Sequence, residues 1–341
     1  MGNYIMRAAI GLFILIASGY LLVIGKELFV PLVIAIFICF LIKTIATLIQ
    51  KNAPIAAPAF AYISSSLFLL FLIAVPIYLV SSSVPDILLA LPKYEENILS
   101  MFENILNELP FDQASLTQEV KSNLNISDIL STLANSITSF TSNFLLVIIY
   151  MAFIFAEKGL IKNKLLMLAD DDNQKQKFET IISNIDERIA LYIAVKAQLS
   201  FLTGLLSYIV MIIIGIDFAA FWALLIFMLN FIPSIGSIVG TVFPVLLALI
   251  QFDSPWPALI ALIGIGLIQI AIGNIIEPKM MGKSLNLSPF VILIVLFVWG
   301  SIWGITGLFL SIPITVFLMI IFAEFQNTRP ISILLSSNGK L

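Results

Sequence analysis

The chain has 341 residues, of which 60% are hydrophobic and 11% charged, with a formal net charge of −3 and a mean hydropathy of +1.10. A soluble surface carries far more charge, so a soluble fold is excluded, and the continuous apolar runs exclude an outer-membrane barrel with its short alternating strands. With no histidine and a single cysteine, Cys39, an internal disulfide, a His-based metal site and a Ser-His nucleophile are excluded as well.

The apolar runs approach the ~20 residues that cross a bilayer and recur throughout, which predicts an all-α, polytopic integral membrane protein. The first run, 8–24, is followed by Gly25-Lys26-Glu27 without a small-residue cleavage site, and reads as a retained helix rather than a signal peptide. Spans at 28–42 and 59–80 complete a three-helix region, 1–80. Residues 81–138 form an acidic insertion. Within it Tyr94, Ile98, Met101, Ile105, Leu106 and Leu109 give the apolar face of an amphipathic helix at 93–109. A fourth span covers 139–156. Residues 157–196 are a second polar segment, in which Asp170-Asp171-Asp172 reads as a helix N-terminal cluster rather than a metal site. Phe178, Ile181, Ile182, Ile185, Ile189 and Tyr192 then give the following helix an apolar face suited to the membrane surface. In the C-terminal core, 197–323, spans at 197–216 and 256–276 bring the total to about six. They alternate with two longer apolar stretches, 218–252 and 289–323, each broken near its middle. A tail covers 324–341.

Orientation follows from the basic residues. With the N-terminus in the cytoplasm, all of the 17 lysines and arginines except Lys26, Lys93 and Lys121 lie on the cytoplasmic side, as the positive-inside rule asks. Segment 81–138 is then extracytoplasmic, 157–196 is cytoplasmic, and both termini are cytoplasmic. Each broken stretch must enter and leave on one side, which makes it a helical hairpin, and the two point in opposite directions. The first has its tip near Pro233-Ser234-Ile235-Gly236 and the second near Gly300–Gly307. At about 1.5 Å per residue, arms 218–231 and 289–299 reach roughly 21 and 16 Å, short of a ~30 Å hydrocarbon core. Re-entrant hairpins with tips buried in protein account for this; two tilted spans joined by a tight turn are the alternative.

Polar groups inside a membrane are costly and mark candidate sites. At the first tip these are Asn230, Pro233, Ser234, Gly236 and Ser237, and at the second Trp299, Gly300, Ser301, Trp303 and Gly304. Trp303 can line a pathway or serve as an interfacial anchor. Span 256–276 aligns Gly266, Gln269, Gly273 and Glu277 on one helical face. Gln269 suits either an interhelical hydrogen bond or a solute contact, and Asn274 can bond freed carbonyls. Pro278 is expected to end the helix and to push Glu277 toward an extended conformation. A carboxylate at a helix C-terminus needs a cation, for which Lys279 and Lys283 are near in sequence. A helix-ending salt bridge and a proton-coupling or gating role both fit Glu277. Ser288 and Pro289 form a cap and first-turn pair that starts the second hairpin.

The strings "LNFIPSIGSIVG" (229–240), "NIIEPKMMGKSLNLSP" (274–289) and "FVWGSIWGITGLFLSIPIT" (297–315), with the approach "YIAVKAQ" (192–198), resemble those of the autoinducer-2 exporter family of bacterial membrane proteins, the PerM-like permeases. Ala194, Val195 and Ser234 depart from the family's usual residues. The resemblance implies a secondary transporter of the bacterial inner membrane, exporting a small polar metabolite or signal by elevator-like movement of two hairpins. It also implies a homo-oligomer, for which a pentamer is one candidate, and a sodium or lithium/proton antiporter is the alternative within the family. A passive channel or a non-transporting scaffold is a third reading. No enzyme is expected, since no pair of mid-membrane aspartates is present, and without a P-loop there is no direct ATP drive. No cofactor, metal or nucleic-acid partner is expected; the partners are the solute, the lipid bilayer and further copies of the chain.

Overall fold

The computed structural model describes residues 2–52, 57–107, 144–157, 160, 163–164, 166–167, 169, 171–281 and 286–339. In chain order the helices are α1 (Gly2–Ile24), α2 (Lys26–Asn52) and α3 (Pro58–Asn107), then α4 (Phe144–Glu157) and α5 (Asp172–Ile214). They continue as α6 (Ala219–Leu229), α7 (Ile235–Gln251), α8 (Trp256–Ile270), a π-helical turn (Ala271–Ile276), α9 (Glu277–Met281), α10 (Pro289–Glu324) and α11 (Arg329–Leu335). The chain forms two compact units, one built from Met1–Ser65, Ser142–Ala194 and Met281–Leu341, the other from Ser66–Thr141 and Val195–Met280. Most of the insertion's predicted helix face beyond residue 100, together with Asp170, Gly282 and Lys283, lies outside the described residues or side chains.

Among the described residues four helical stretches are long and apolar enough to cross a membrane: Lys26–Lys51, Asp172–Ile214, Trp256–Met281 and Pro289–Glu324. Ala9–Ile24, Pro58–Phe71, Phe144–Glu157, α6 and α7 are shorter apolar helices. The expected all-α, multi-span class is therefore what the chain adopts.

Several element boundaries differ from expectation. The second polar segment from Asp172 onward and the span at 197–216 are one uninterrupted helix, α5, of 43 residues. No glycine or proline stands between Asp172 and Gly204, so the sequence offers no point at which to break it. At its start Asp171 Oδ1 accepts the Gln174 backbone N–H at 2.6 Å, an N-cap contact that gives the aspartate cluster its structural role. Likewise α3 continues past residue 80 into the acidic insertion for 50 residues in all, despite Pro85 and Pro92.

In the first unit Phe37 of α2 meets Phe309 of α10 edge to face, Tyr62 meets Phe155, and Lys43 pairs with Asp186 of α5. Pro289 occupies the first turn of α10, as expected, after Ser288 in extended backbone. The Ser288 side chain makes no cap bond; its N–H donates to Leu335 O at 3.0 Å. The core of the second unit comprises Met211, Ile216, Ala223, Ile226, Ala248, Ala258, Ala261 and Ile265. Small alanines in this set let α6, α7 and α8 approach closely.

Candidate functional site

In the second unit α6 and α7 pack as an antiparallel pair. Trp222 stacks on Phe243 with ring centroids 6.0 Å apart, Ile226 faces Gly240, and Leu229 faces Gly236. The pairs hold a constant register, so the chain turns back between Asn230 and Ser234. A Cβ on Gly236 would lie 1.8 Å from the Leu229 carbonyl oxygen; only glycine permits this approach. Ser234 has φ 61° and ψ −49°, a conformation L-residues rarely adopt and that stores strain at functional turns. Ser237 Oγ donates to Ser234 O at 2.9 Å, closing the turn. Asn230 is buried, and its Nδ2 donates to Ser200 Oγ of α5 at 3.1 Å, tying the turn to that helix. Pro233 is half-buried beside it.

Along one face of α5 run Lys196, Ser200, Thr203 and Ser207, all essentially inaccessible. Their spacing of four, three and four residues makes a polar seam about 16 Å long at ~1.5 Å per residue. Lys196 Nζ donates to Glu277 Oε1 at 2.6 Å, with the two side chains 2% and 18% exposed. A lysine so buried is tolerable only when its charge is compensated. The cation for Glu277 is thus Lys196, 81 residues away in sequence, and not Lys279, which is exposed. Nor does Pro278 end the helix. Glu277 is helical, with φ −56° and ψ −50°, because the π-helical turn Ala271–Ile276 closes just before it and α9 starts afresh there. In the first turn of a helix the missing proline N–H has no partner to lose. Of the expected stripe, Gln269 is buried and Gly266, Gly273 and Glu277 are half-buried, whereas Asn274, off that face, is exposed.

Three buried polar atoms in this unit, Ser207 Oγ, Trp222 Nε1 and Gln269 Nε2, have no hydrogen-bond partner among the described residues. Each such orphan costs roughly 1–3 kcal/mol. Gln269 Nε2 points toward the α6–α7 pair, 3.7 Å from where a Cβ on Gly240 would stand. The amide therefore makes no interhelical hydrogen bond through its donor.

Trp299, Gly300, Ser301, Trp303 and Gly304 fall in the first unit. Gly304 leaves the helical region with φ 63° and ψ −140°, and a Cβ on Gly307 would lie 1.9 Å from the Trp299 carbonyl. Residues eight apart in a straight helix are ~12 Å apart along the axis, so α10 is sharply kinked here. The break at Gly304 gives its first arm a reach of roughly 22 Å at ~1.5 Å per residue, longer than the span to residue 299 suggested. The Trp303 ring is buried, and its Nε1 donates to Leu22 O of α1 at 3.0 Å; Ser301 Oγ bonds Phe297 O within its own helix. The tryptophan's polar atom is thus committed to a contact between helices.

Lys196, Ser200, Thr203, Ser207 and Trp222 were not among the residues singled out from sequence. The signal was present as small hydroxyls at helical spacing in an otherwise apolar segment, starting from a lysine read only as a cytoplasmic charge.

An all-helical, multi-span fold with a buried ion pair, a polar seam and orphaned polar atoms beside a strained turn defines an integral membrane protein built around polar groups. The AI-2E family transporter profile matches residues 12–327, and the chain belongs to that family. It is 34% identical over 92% of its length to a putative transport protein of Borreliella burgdorferi, covering 86% of that protein. It is 27% identical to the AI-2 transport protein TqsA of Escherichia coli, over 97% of both chains. A putative transport protein of Haemophilus influenzae is 28% identical over 94% of this chain and 93% of its own. Family and relatives are transport proteins rather than enzymes.

Proposed function

We propose that the chain is a secondary transporter of the bacterial cytoplasmic membrane that exports a small polar metabolite or signal resembling AI-2, with Glu277 as its coupling or gating carboxylate. Family membership and the AI-2 transport function named for TqsA support the class of cargo. The observation that carries the role of Glu277 is its ion pair with Lys196 at 2.6 Å, one partner being 2% exposed. Separating the two leaves a buried charge uncompensated. Any movement that parts them therefore needs a substitute at that moment, either a proton on Glu277 or polar groups of the solute beside Lys196. That requirement links solute passage to the state of the carboxylate.

In this reading the polar atoms of Gln269 and Ser207, together with Asn230, Ser234 and Ser237 at the first turn, offer hydrogen bonds to the solute. Residues 218–252 and 289–323 act as hairpins in an elevator-like movement within each protomer of a homo-oligomer. Both termini are cytoplasmic. The test is uptake into inside-out vesicles with an imposed proton or sodium gradient, comparing wild type with Glu277→Gln. Gradient-driven flux should be lost in the variant; flux that remains unchanged and still gradient-driven would eliminate Glu277 as the coupling residue.

A further inference from the structure

A second polar feature lies in the first unit, apart from the seam and the turns. Lys177, Asn184 and Arg188 project from one face of α5 at spacings of seven and four into a cavity of ≈ 490 Å³. Its other wall is the end of α10 and the start of α11, with Met319, Ile320, Ala323, Glu324 and Arg329. Lys177 is engaged: its Nζ donates to Glu324 O at 2.8 Å and stands 3.6 Å from the Glu324 carboxylate. Among the described residues neither Arg188 nor Arg329 has a carboxylate within ion-pairing distance. The cavity lining therefore holds three cations against one anion, with two guanidiniums that no described carboxylate engages.

From this we infer that the cavity is a binding site for the phosphate headgroup of an anionic lipid. Guanidinium N–H groups match phosphate oxygens two at a time, and the Asn184 amide adds a neutral donor. The α10 wall runs from charged Glu324 through half-buried Ala323 to Ile320 and Met319, which are buried beneath it, so the surface the cavity offers is chiefly polar and suits an oxyanion head. The cavity also lies where an apolar helix reaches its charged end, the depth of lipid headgroups, and basic pockets between such helices favour anionic ones. On the positive-inside reading that end faces the cytoplasm. The site is independent of the transport reading, because none of its residues belongs to the Lys196–Glu277 pair or to either turn.

The experiment uses the full chain, purified and reconstituted in phosphatidylcholine nanodiscs. Native mass spectrometry follows retention of added phosphatidylglycerol, and thermal melting reports folding. Wild type should retain phosphatidylglycerol and melt higher with it than with phosphatidylcholine alone. Arg188→Gln and Arg329→Gln should each weaken retention about tenfold, the order expected for losing one charge-assisted hydrogen-bonding group. The double variant should lose it while melting like wild type in phosphatidylcholine. Lys51→Gln removes a charge from exposed α2 outside the cavity and should change nothing. Loss equal to that of the arginine variants in Lys51→Gln would reduce the effect to general surface electrostatics and overturn the site. Failure of wild type to select phosphatidylglycerol would also overturn it. Saturable binding of glycerol 3-phosphate in its place would overturn the lipid assignment in favour of a soluble phosphate ester.

Discussion

Removing one partner of the Lys196–Glu277 pair should harm the protein far more than removing both. Lys196 is 2% exposed and Glu277 18%, so Glu277→Gln leaves a nearly inaccessible ammonium without its counter-charge. Breaking a buried pair in this way costs about 3–5 kcal/mol; the partial exposure of Glu277 points to the lower end. For a chain of this size that is a fall of roughly 5–10 °C in melting temperature. Lys196→Met fills the same space with an apolar chain and leaves a carboxylate that retains some access to water, so its cost is smaller, about 2 kcal/mol. In Lys196→Met/Glu277→Gln no charge is left buried, and stability should return to within about 1 kcal/mol of wild type. The assay is thermal melting in detergent, followed by tryptophan fluorescence for wild type, both single variants and the double. A coupling energy below about 0.5 kcal/mol, the level at which independent sites add, would refute the reasoning, since it would mean the two charges do not meet in the folded protein.

Gln269→Leu should raise stability by about 1 kcal/mol because it removes a buried donor that has no partner, yet it should lower solute flux; melting and vesicle uptake on the same preparation separate the two effects, and reduced stability with normal flux would contradict both. Gly236→Ala would place a Cβ 1.8 Å from the Leu229 carbonyl, so the turn must open, and a loss of about 3 kcal/mol or more is expected in melting experiments. Tyr94 donates its hydroxyl to Asp217 Oδ2 at 2.7 Å; burial first, then the hydrogen bond and charge of Asp217, raise the phenol above the ordinary tyrosine range. The sign is that of a raised folded pKa. The contribution is fully present below the unfolded tyrosine value of ~10 and is lost as pH rises beyond it. Tyr94→Phe should thus cost about 1.5–3 kcal/mol near neutral pH and flatten the alkaline decline in stability, as measured by melting temperature between neutral and strongly alkaline pH.

Residues whose constraint is local could be read from the chain. Hydropathy alone located the apolar helices, Pro289 marked the start of α10, and the glycines at 236 and 300–307 marked the places where the backbone turns. Pro278 misled, because the rule that a proline ends a helix assumes a regular α-helix before it; a π-helical turn moves the boundary and makes the proline a first-turn residue. The partner of Glu277 could not be found by looking nearby, since Lys196 approaches through folding rather than through sequence. The length of α5 was legible in principle from the absence of glycine and proline, but the change from charged to apolar composition near residue 197 concealed it. Strain at Ser234 had no signature at all, because serine is at home in ordinary turns and nothing in its identity announces a positive φ.

The π-helical turn just before Glu277 carries about one residue more than an α-helix would need to cover the same rise. Were that surplus to be absorbed, everything after it would rotate by about 100° and advance by about 1.5 Å, swinging the Glu277 carboxylate away from Lys196. The ion pair consequently works as a pawl on a ratchet tooth: it holds the helix in one register, and the register holds the pair. Deleting one residue within Ala271–Ile276 should therefore abolish the coupling between Lys196 and Glu277 in the double-mutant cycle, although neither charge has been touched.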